Sequence, residues 1–166
     1  MIPIRHTQRL TLRGPLLSDY PAYQAYWASD RCAHTGGRKA PPAAWDDFAA
    51  AFGQWLVHGY GCWAVEVKAT GRFAGLMGIN QPAHFPQAEI GWIFMADAEG
   101  RGFATESAVA PLGWIWANTR LPTLVSYIDP ANLRSIALTT RLGASNDPAA
   151  PRPWPVDMAY RHPGVA

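Results

Sequence analysis

The sequence predicts a single α/β domain spanning residues 1–166, with a mostly antiparallel sheet flanked by helices. Three observations carry that expectation. Segments of strand periodicity alternate with segments of helical periodicity. Three consecutive strand segments are joined only by turns of the length that antiparallel neighbours use. At 166 residues, one core can bury roughly two-thirds of the unfolded surface, enough to fold without disulfides or metals.

Arg9 to Arg13 alternates polar and apolar residues, the period-two pattern of a half-buried strand. Ser18 or Asp19 is placed to cap a helix running to about Ser29, with Tyr20, Tyr23, Ala25, Tyr26 and Trp27 as its aromatic face. Residues 31–42 contain Gly36-Gly37 and Pro41-Pro42 and read as a loop. From Ala43 to Val57, Trp45, Phe48, Phe52, Trp55 and Leu56 recur at helical spacing. Three strands follow at 62–67, 73–79 and 88–95, joined by Ala69-Thr70-Gly71 and by residues 81–86. A helix extends to about Asn118 with Pro111 inside it, where a lost hydrogen bond can bend it. A strand at 123–128, a helix from about Asn132 to Leu142 closed by Gly143, a rigid proline loop and a last strand at 157–161 complete the chain.

Between the 88–95 strand and the next helix lies Glu99-Gly100-Arg101-Gly102-Phe103-Ala104-Thr105-Glu106. Two glycines let the backbone approach a ligand closely, and the helix that follows offers unpaired N–H groups and the positive end of its dipole. The run reads as an anion cradle suited to a pyrophosphate. It is no Walker loop, because Phe103-Ala104 stands where Lys and Ser or Thr are required. Nor is it a Rossmann fingerprint, which needs a third glycine within a parallel unit.

From Glu99 to Ala104 this run resembles the signature of the GNAT acyl-CoA N-acyltransferases: Gln or Arg, two residues, Gly, one residue, then Gly or Ala. The first position departs, since Glu99 stands where the family usually has Gln or Arg, and its carboxylate would repel a pyrophosphate unless it turned away. Gly102 to Glu106, Asn132-Leu133-Arg134-Ser135 and Arg141-Leu142-Gly143 resemble the branch containing the N-terminal acetyltransferases of ribosomal proteins. The resemblance covers residues 8–162 and is strongest over 89–143. It implies a mixed, mostly antiparallel central sheet splayed into a V between its fourth and fifth predicted strands, with the donor entering the V.

The resemblance further implies acetyl-CoA as cosubstrate and transfer of the acetyl group to a primary amine, of a small molecule or a protein N-terminus, by direct attack in a ternary complex. Backbone groups near Ile93 and Phe94 would pair with the pantetheine arm. Those of Arg101, Gly102, Phe103, Ala104 and Thr105 would hold the pyrophosphate, with a charge-assisted contact from Arg101. Asn132 would bond the arm, besides capping its own helix, and Ser135 would lie near the sulfur. An amine nucleophile must lose a proton, and Glu89 is the candidate base. Gly91 would mark a bulge that splays the strand. Thr139 stands where many members carry a tyrosine acid, leaving Ser135 or water as the donor to the thiolate. Cys62 lacks a histidine partner, and Glu106 reads as a helix-dipole residue. The acceptor would be recognised by the loops at 31–42 and 146–155, which contain His34, Arg38, Lys39, Arg152 and Trp154.

A formal charge of +2 without a basic block gives no electrostatic case for nucleic acid. No window approaches the ~20 apolar residues of a membrane span, and the N-terminus has no signal-peptide core. The two cysteines, Cys32 and Cys62, form neither a metal pattern nor a disulfide framework. A cytoplasmic enzyme without a metal is expected, and the resemblance allows a homodimer. Two other readings are a catalytically weak acyl-CoA-binding or sensing module on the same fold, and a protein-interaction domain.

Overall fold

The computed structural model describes residues 1–164. Its strands are β1 (Arg5–His6), β2 (Leu10–Arg13), β3 (Cys62–Val67), β4 (Arg72–Asn80), β5 (Glu89–Phe94), β6 (Val125–Ile128), β7 (Ser145–Asn146) and β8 (Met158–Arg161). The helices are α1 (Tyr20–Trp27), α2 (Pro41–His58), α3 (Phe103–Asn118) and α4 (Leu133–Arg141). One eight-stranded sheet runs β1-β2-β3-β4-β5-β6-β8-β7, antiparallel throughout except for the parallel pair β5–β6. No described helix is long and apolar enough to cross a membrane.

Strand alternation sorts the first five strands onto two faces. Trp63, Val65, Met77 and Ile79 point to the side of α3, where they meet Phe103, Ala108 and Ile115. Ala64 and Leu76 point to the opposite side and pack under Tyr23, Tyr26, Trp27 and Phe48 of α1 and α2. β6 and β8 have separate cores, with Phe85, Val125, Tyr127 and Ala159 on one face and Ile128 and Tyr160, joined by Ile136 of α4, on the other. The sheet is thus two arms, each with its own packing.

The arms meet at β5 and β6, whose only paired residues are Glu89 and Val125, with Val125 N–H donating to the Ala88 carbonyl at 3.1 Å. Beyond that point side chains replace the ladder. Ser126 Oγ donates to the Ile90 carbonyl at 2.7 Å, and the Tyr127 N–H donates to the Glu89 carboxylate at 3.3 Å. His162 lies 3.0 Å from the same Ser126 hydroxyl through Nε2, which must carry the proton because the hydroxyl's own hydrogen is committed to Ile90. From Gly91 to Phe94, β5 has no strand neighbour on this side among the described residues. This is the V expected between the fourth and fifth predicted strands.

Several local expectations are corrected. Neither Ser18 nor Asp19 caps α1 through its side chain. The Asp19 carboxylate instead takes both terminal nitrogens of Arg13, at 2.8 and 3.0 Å, and the Leu16 N–H at 2.8 Å. Pro41 and Pro42 open α2 rather than ending the loop, since a proline in the first helical turn loses no hydrogen bond. Gly91 marks no bulge, because β4 and β5 pair without a shift through Gly78 and Gly91; the irregularity lies between Val65 and Glu66. β1 and β7, each two residues long, were not anticipated.

Gly75 lets β4 and β5 approach, since a Cβ there would overlap the Ile93 carbonyl oxygen. Gly53, inside α2, has open space around the same position. In urea unfolding, Gly75→Ala is expected to lose about 1–3 kcal/mol through overpacking, and Gly53→Ala to gain about 0.5–1 kcal/mol from helix propensity.

Candidate active site

The V opens into a cleft of about 70 Å³ lined by His34 and Thr35, by Glu89 to Trp92 of β5, by Ser126 to Ile128 of β6, and by Asn132 and Ser135 of α4. Glu89, Asn132 and Ser135, brought from distant parts of the sequence, therefore share one cavity. Glu89 sits at the last paired position of β5, so its carboxylate reaches across the split to the Tyr127 N–H. Gly91, two residues along on the same face, neighbours it: a Cβ there would lie 3.7 Å from the Glu89 carboxyl carbon, an ordinary van der Waals contact.

Desolvation pushes the Glu89 carboxyl up to about 7, and the charge of Asp157 adds to the rise, while the Tyr127 N–H and Asn80 oppose it. The carboxyl is poised near neutrality. Cys62, partly buried and within the field of Glu89, has its thiol pushed up by desolvation to about 12, which disfavours the thiolate a nucleophile needs.

Ser135 is held by two contacts. Its N–H donates to Asn132 Oδ1 at 3.2 Å, the cap of α4, and its hydroxyl oxygen accepts the Trp92 indole N–H at 3.3 Å. An indole can only donate, so the serine hydrogen is left to point elsewhere in the cleft. The cap engages only the amide oxygen of Asn132, leaving its two N–H donors available to a ligand. Thr139 is fully buried, its hydroxyl without a partner among the described residues, and it does not line the cleft.

The glycine turn lies at the end of β5. Gly100 and Gly102 have φ of 69° and 77°, in the left-handed region that glycine enters without strain. Gly102 is the N-cap of α3 and no side chain caps the helix, so the N–H groups of Phe103, Ala104 and Thr105 are left for an anion. Glu106 fixes this end of α3 to the β1–β2 turn by accepting from the Thr7 hydroxyl and from Arg9 N and Nε, both at 2.7 Å. Partial burial would raise its carboxyl, but these hydrogen bonds prevail and hold it below the ordinary value. The Arg101 guanidinium lies over the Phe103 ring, 4.9 Å from its centroid. Ile93 packs onto the α1–α2 core, and the Phe94 carbonyl accepts from Arg31 Nη2 at 3.1 Å.

Of the loop residues expected to read an acceptor, only His34 reaches the cleft, its Nδ1 2.7 Å from Asp129 at the end of β6. Arg38 pairs with Asp30, Lys39 pairs with Asp47 and sits over the Trp27 ring, and Arg152 donates to the carbonyls of Pro148, Ala150 and Asp157. Arg152 braces the proline loop through these three backbone acceptors. Trp154 packs against Phe85 and His84. Trp92, Tyr127, Asp129 and Asp157 were not singled out from the sequence. Ile128-Asp129-Pro130, immediately before the cap of α4, was the one available signal for Asp129.

Residues 9–145 match the profile of the acetyltransferase (GNAT) domain family. The chain belongs to that family. Over 98% of its length it superposes on 95% of an acetyltransferase from Agrobacterium tumefaciens str. C58, with 41% identity and a TM-score of 0.94. The ribosomal L7/L12 α-N-protein acetyltransferase RimL, in complex with coenzyme A, shares the fold at a TM-score of 0.72 and 15% identity, over 96% of each chain. An uncharacterized Bacillus subtilis (strain 168) protein, YkkB, is 33% identical over 88 residues. That match takes in 52% of this chain and 51% of YkkB, so about half of each is compared.

Burial of an ionised Glu89 costs stability. Its folded pKa, about 7, exceeds the ordinary 4.5, so between those values the folded state holds a proton that the unfolded state has lost, and stability falls as pH rises through that window. Glu89→Gln is expected to raise the melting temperature at pH 8 and to leave it nearly unchanged at pH 4, read by thermal denaturation at both values.

Proposed function

We propose that the protein transfers an acetyl group from acetyl-CoA to a primary amine by direct attack in a ternary complex. The observation that carries this reading is the shared cleft, in which a carboxyl poised near neutrality and an oriented serine hydroxyl flank the unpaired edge of β5. The residues present fit the donor. Gly100 and Gly102 admit the pyrophosphate to the N–H groups of Phe103, Ala104 and Thr105, with Arg101 contributing its N–H. On the edge of β5 that faces the V, the backbone of Trp92 and the Phe94 N–H, with the amide of Asn132, suit the amide-bearing arm, whereas the Phe94 carbonyl is held by Arg31 and the Ile93 backbone faces β4.

The donor supplies an acyl carbon activated as a thioester. Glu89 takes the proton that the amine loses as nitrogen bonds to that carbon, directly or through one water. As the C–S bond breaks, Ser135 gives its hydroxyl proton to the departing sulfur and is reprotonated from water. Neither step needs a covalent enzyme intermediate, consistent with the raised Cys62 thiol. Since Arg38, Lys39 and Arg152 are engaged elsewhere, the reading does not rely on loop cations to select a carboxylate-bearing acceptor. A cytoplasmic location belongs to the same proposal.

Two measurements test it. Calorimetry with acetyl-CoA should show binding by the wild type and a loss of about tenfold or more in Gly102→Asp relative to Gly102→Asn. Both replacements tolerate the left-handed backbone at residue 102 and differ only in charge. Equal affinities would remove the cradle from the proposal.

In amine-acetylation assays, kcat/KM should rise with pH through about 7 as Glu89 ionises, and Glu89→Gln should lose about 10²-fold or more in turnover while cosubstrate affinity is kept. Donor binding with no turnover on any amine, unaffected by that substitution, would favour the binding or sensing module.

A further inference from the structure

Glu99 is the position at which the chain departs from its family's signature, and its side chain has a definite place. The carboxylate stands between two guanidinium groups, that of Arg31, from the loop after α1, and that of Arg134, in the first turn of α4, at 2.8 Å. Arg31 also donates to the Phe94 carbonyl, which ties it to the β5 arm of the sheet. Arg134 belongs to the other arm, since Ile136 of the same helix packs on Ile128 and Tyr160. The Glu99–Arg134 pair therefore spans the open end of the V, from the edge of the glycine turn to the helix that carries Asn132 and Ser135. A second bond makes the same crossing: Arg141 Nη1 donates to Thr105 Oγ1 at 3.0 Å, within the first turn of α3. Two arginines of α4 thus end on the anion cradle, whereas the Arg101 guanidinium lies over Phe103.

The Arg134 side chain is 84% exposed, so solvent screens its pair with Glu99 and a better partner can displace it. A pyrophosphate seated on the α3 N–H groups is such a partner. It offers several oxygens to a planar guanidinium, while the Glu99 carboxylate is already shared with Arg31. We propose that Arg134 binds the diphosphate of the acyl donor, and that Glu99 holds Arg134 across the mouth of the V until the donor arrives. Arg31 then keeps the Glu99 carboxylate facing away from the phosphates, so an acidic residue is tolerated at this position. The inference rests on the acyl-CoA reading above.

The test compares wild type, Glu99→Gln, Arg134→Ala and the double variant by calorimetry, with coenzyme A and with pantetheine, which has no phosphate. Glu99→Gln should bind coenzyme A about two- to fivefold more tightly, the range set by releasing one exposed ion pair. Arg134→Ala should bind it about fivefold or more weakly, the double variant should match Arg134→Ala, and pantetheine affinity should be the same in all four. If Glu99→Gln tightens binding equally in the Arg134→Ala background, the carboxylate acts by direct repulsion and the latch is wrong. An unchanged or weaker Glu99→Gln, an unweakened Arg134→Ala, or an effect carried over to pantetheine overturns it as well. Absence of coenzyme A binding by the wild type removes the acyl-CoA reading and the latch together; binding that ignores Glu99→Gln removes the latch alone.

Discussion

The single paired position between β5 and β6 is the constraint on which the rest of the structure depends. Strand edges inside a sheet leave backbone donors and acceptors that must find other partners. Here side chains meet part of that demand: Ser126 satisfies the Ile90 carbonyl, Glu89 accepts the Tyr127 N–H, and Arg31 serves the Phe94 carbonyl. The two arms also keep largely separate cores, joined through Leu124 and Leu142, which reach the main one. His162, whose imidazole is held down to about 4 by burial, remains neutral at physiological pH and fixes Ser126 at the point where the strands part. The opening is thus built by specific polar contacts and largely segregated packing, and between Ile90 and the Phe94 carbonyl it leaves the V-facing backbone of β5 without a strand neighbour among the described residues.

Two glutamates near this opening show how environment decides the use of one side chain. Glu106 carries three hydrogen bonds from Thr7 and Arg9, which outweigh its partial desolvation and keep it ionised as a tie between α3 and the first hairpin. Glu89 receives one long hydrogen bond from Tyr127 against stronger desolvation and the nearby charge of Asp157. The first is a structural anion. The second has a proton affinity near that of the medium, which a group that must accept and release protons requires.

Element order was legible because helix and strand periodicities are written in consecutive residues. The two-residue strands β1 and β7 carry no period, and each exists only through its neighbour. Pro41-Pro42 is ambiguous in sequence because proline marks both the end of a loop and the first turn of a helix, and here it opens α2. Gly91 is ambiguous for a similar reason, since glycine in a strand can mark a bulge, and here the strands pair through it without a shift. Glu89, Asn132 and Ser135 could be nominated from local motifs. Trp92 could not, because its partner lies 43 residues away, and the charge of Arg152 did not reveal that backbone carbonyls would claim it.

The departure at Thr139 bears on which proton transfer demands most of the protein. A thiol has a pKa near ~8.5, so a departing thiolate is only slightly too basic for water at neutral pH and needs little help. An aliphatic amine, at ~10.4, is almost wholly protonated there and cannot attack until a proton is removed. In the proposed reaction the base is therefore the more exacting half, and the carboxyl assigned to it has a built environment, desolvated and held by one backbone donor. The same proposal leaves the acid side to a serine oriented by Trp92, with Thr139 buried in the body of α4. Ser135, one turn earlier in the helix, lines the cleft, which Thr139 does not.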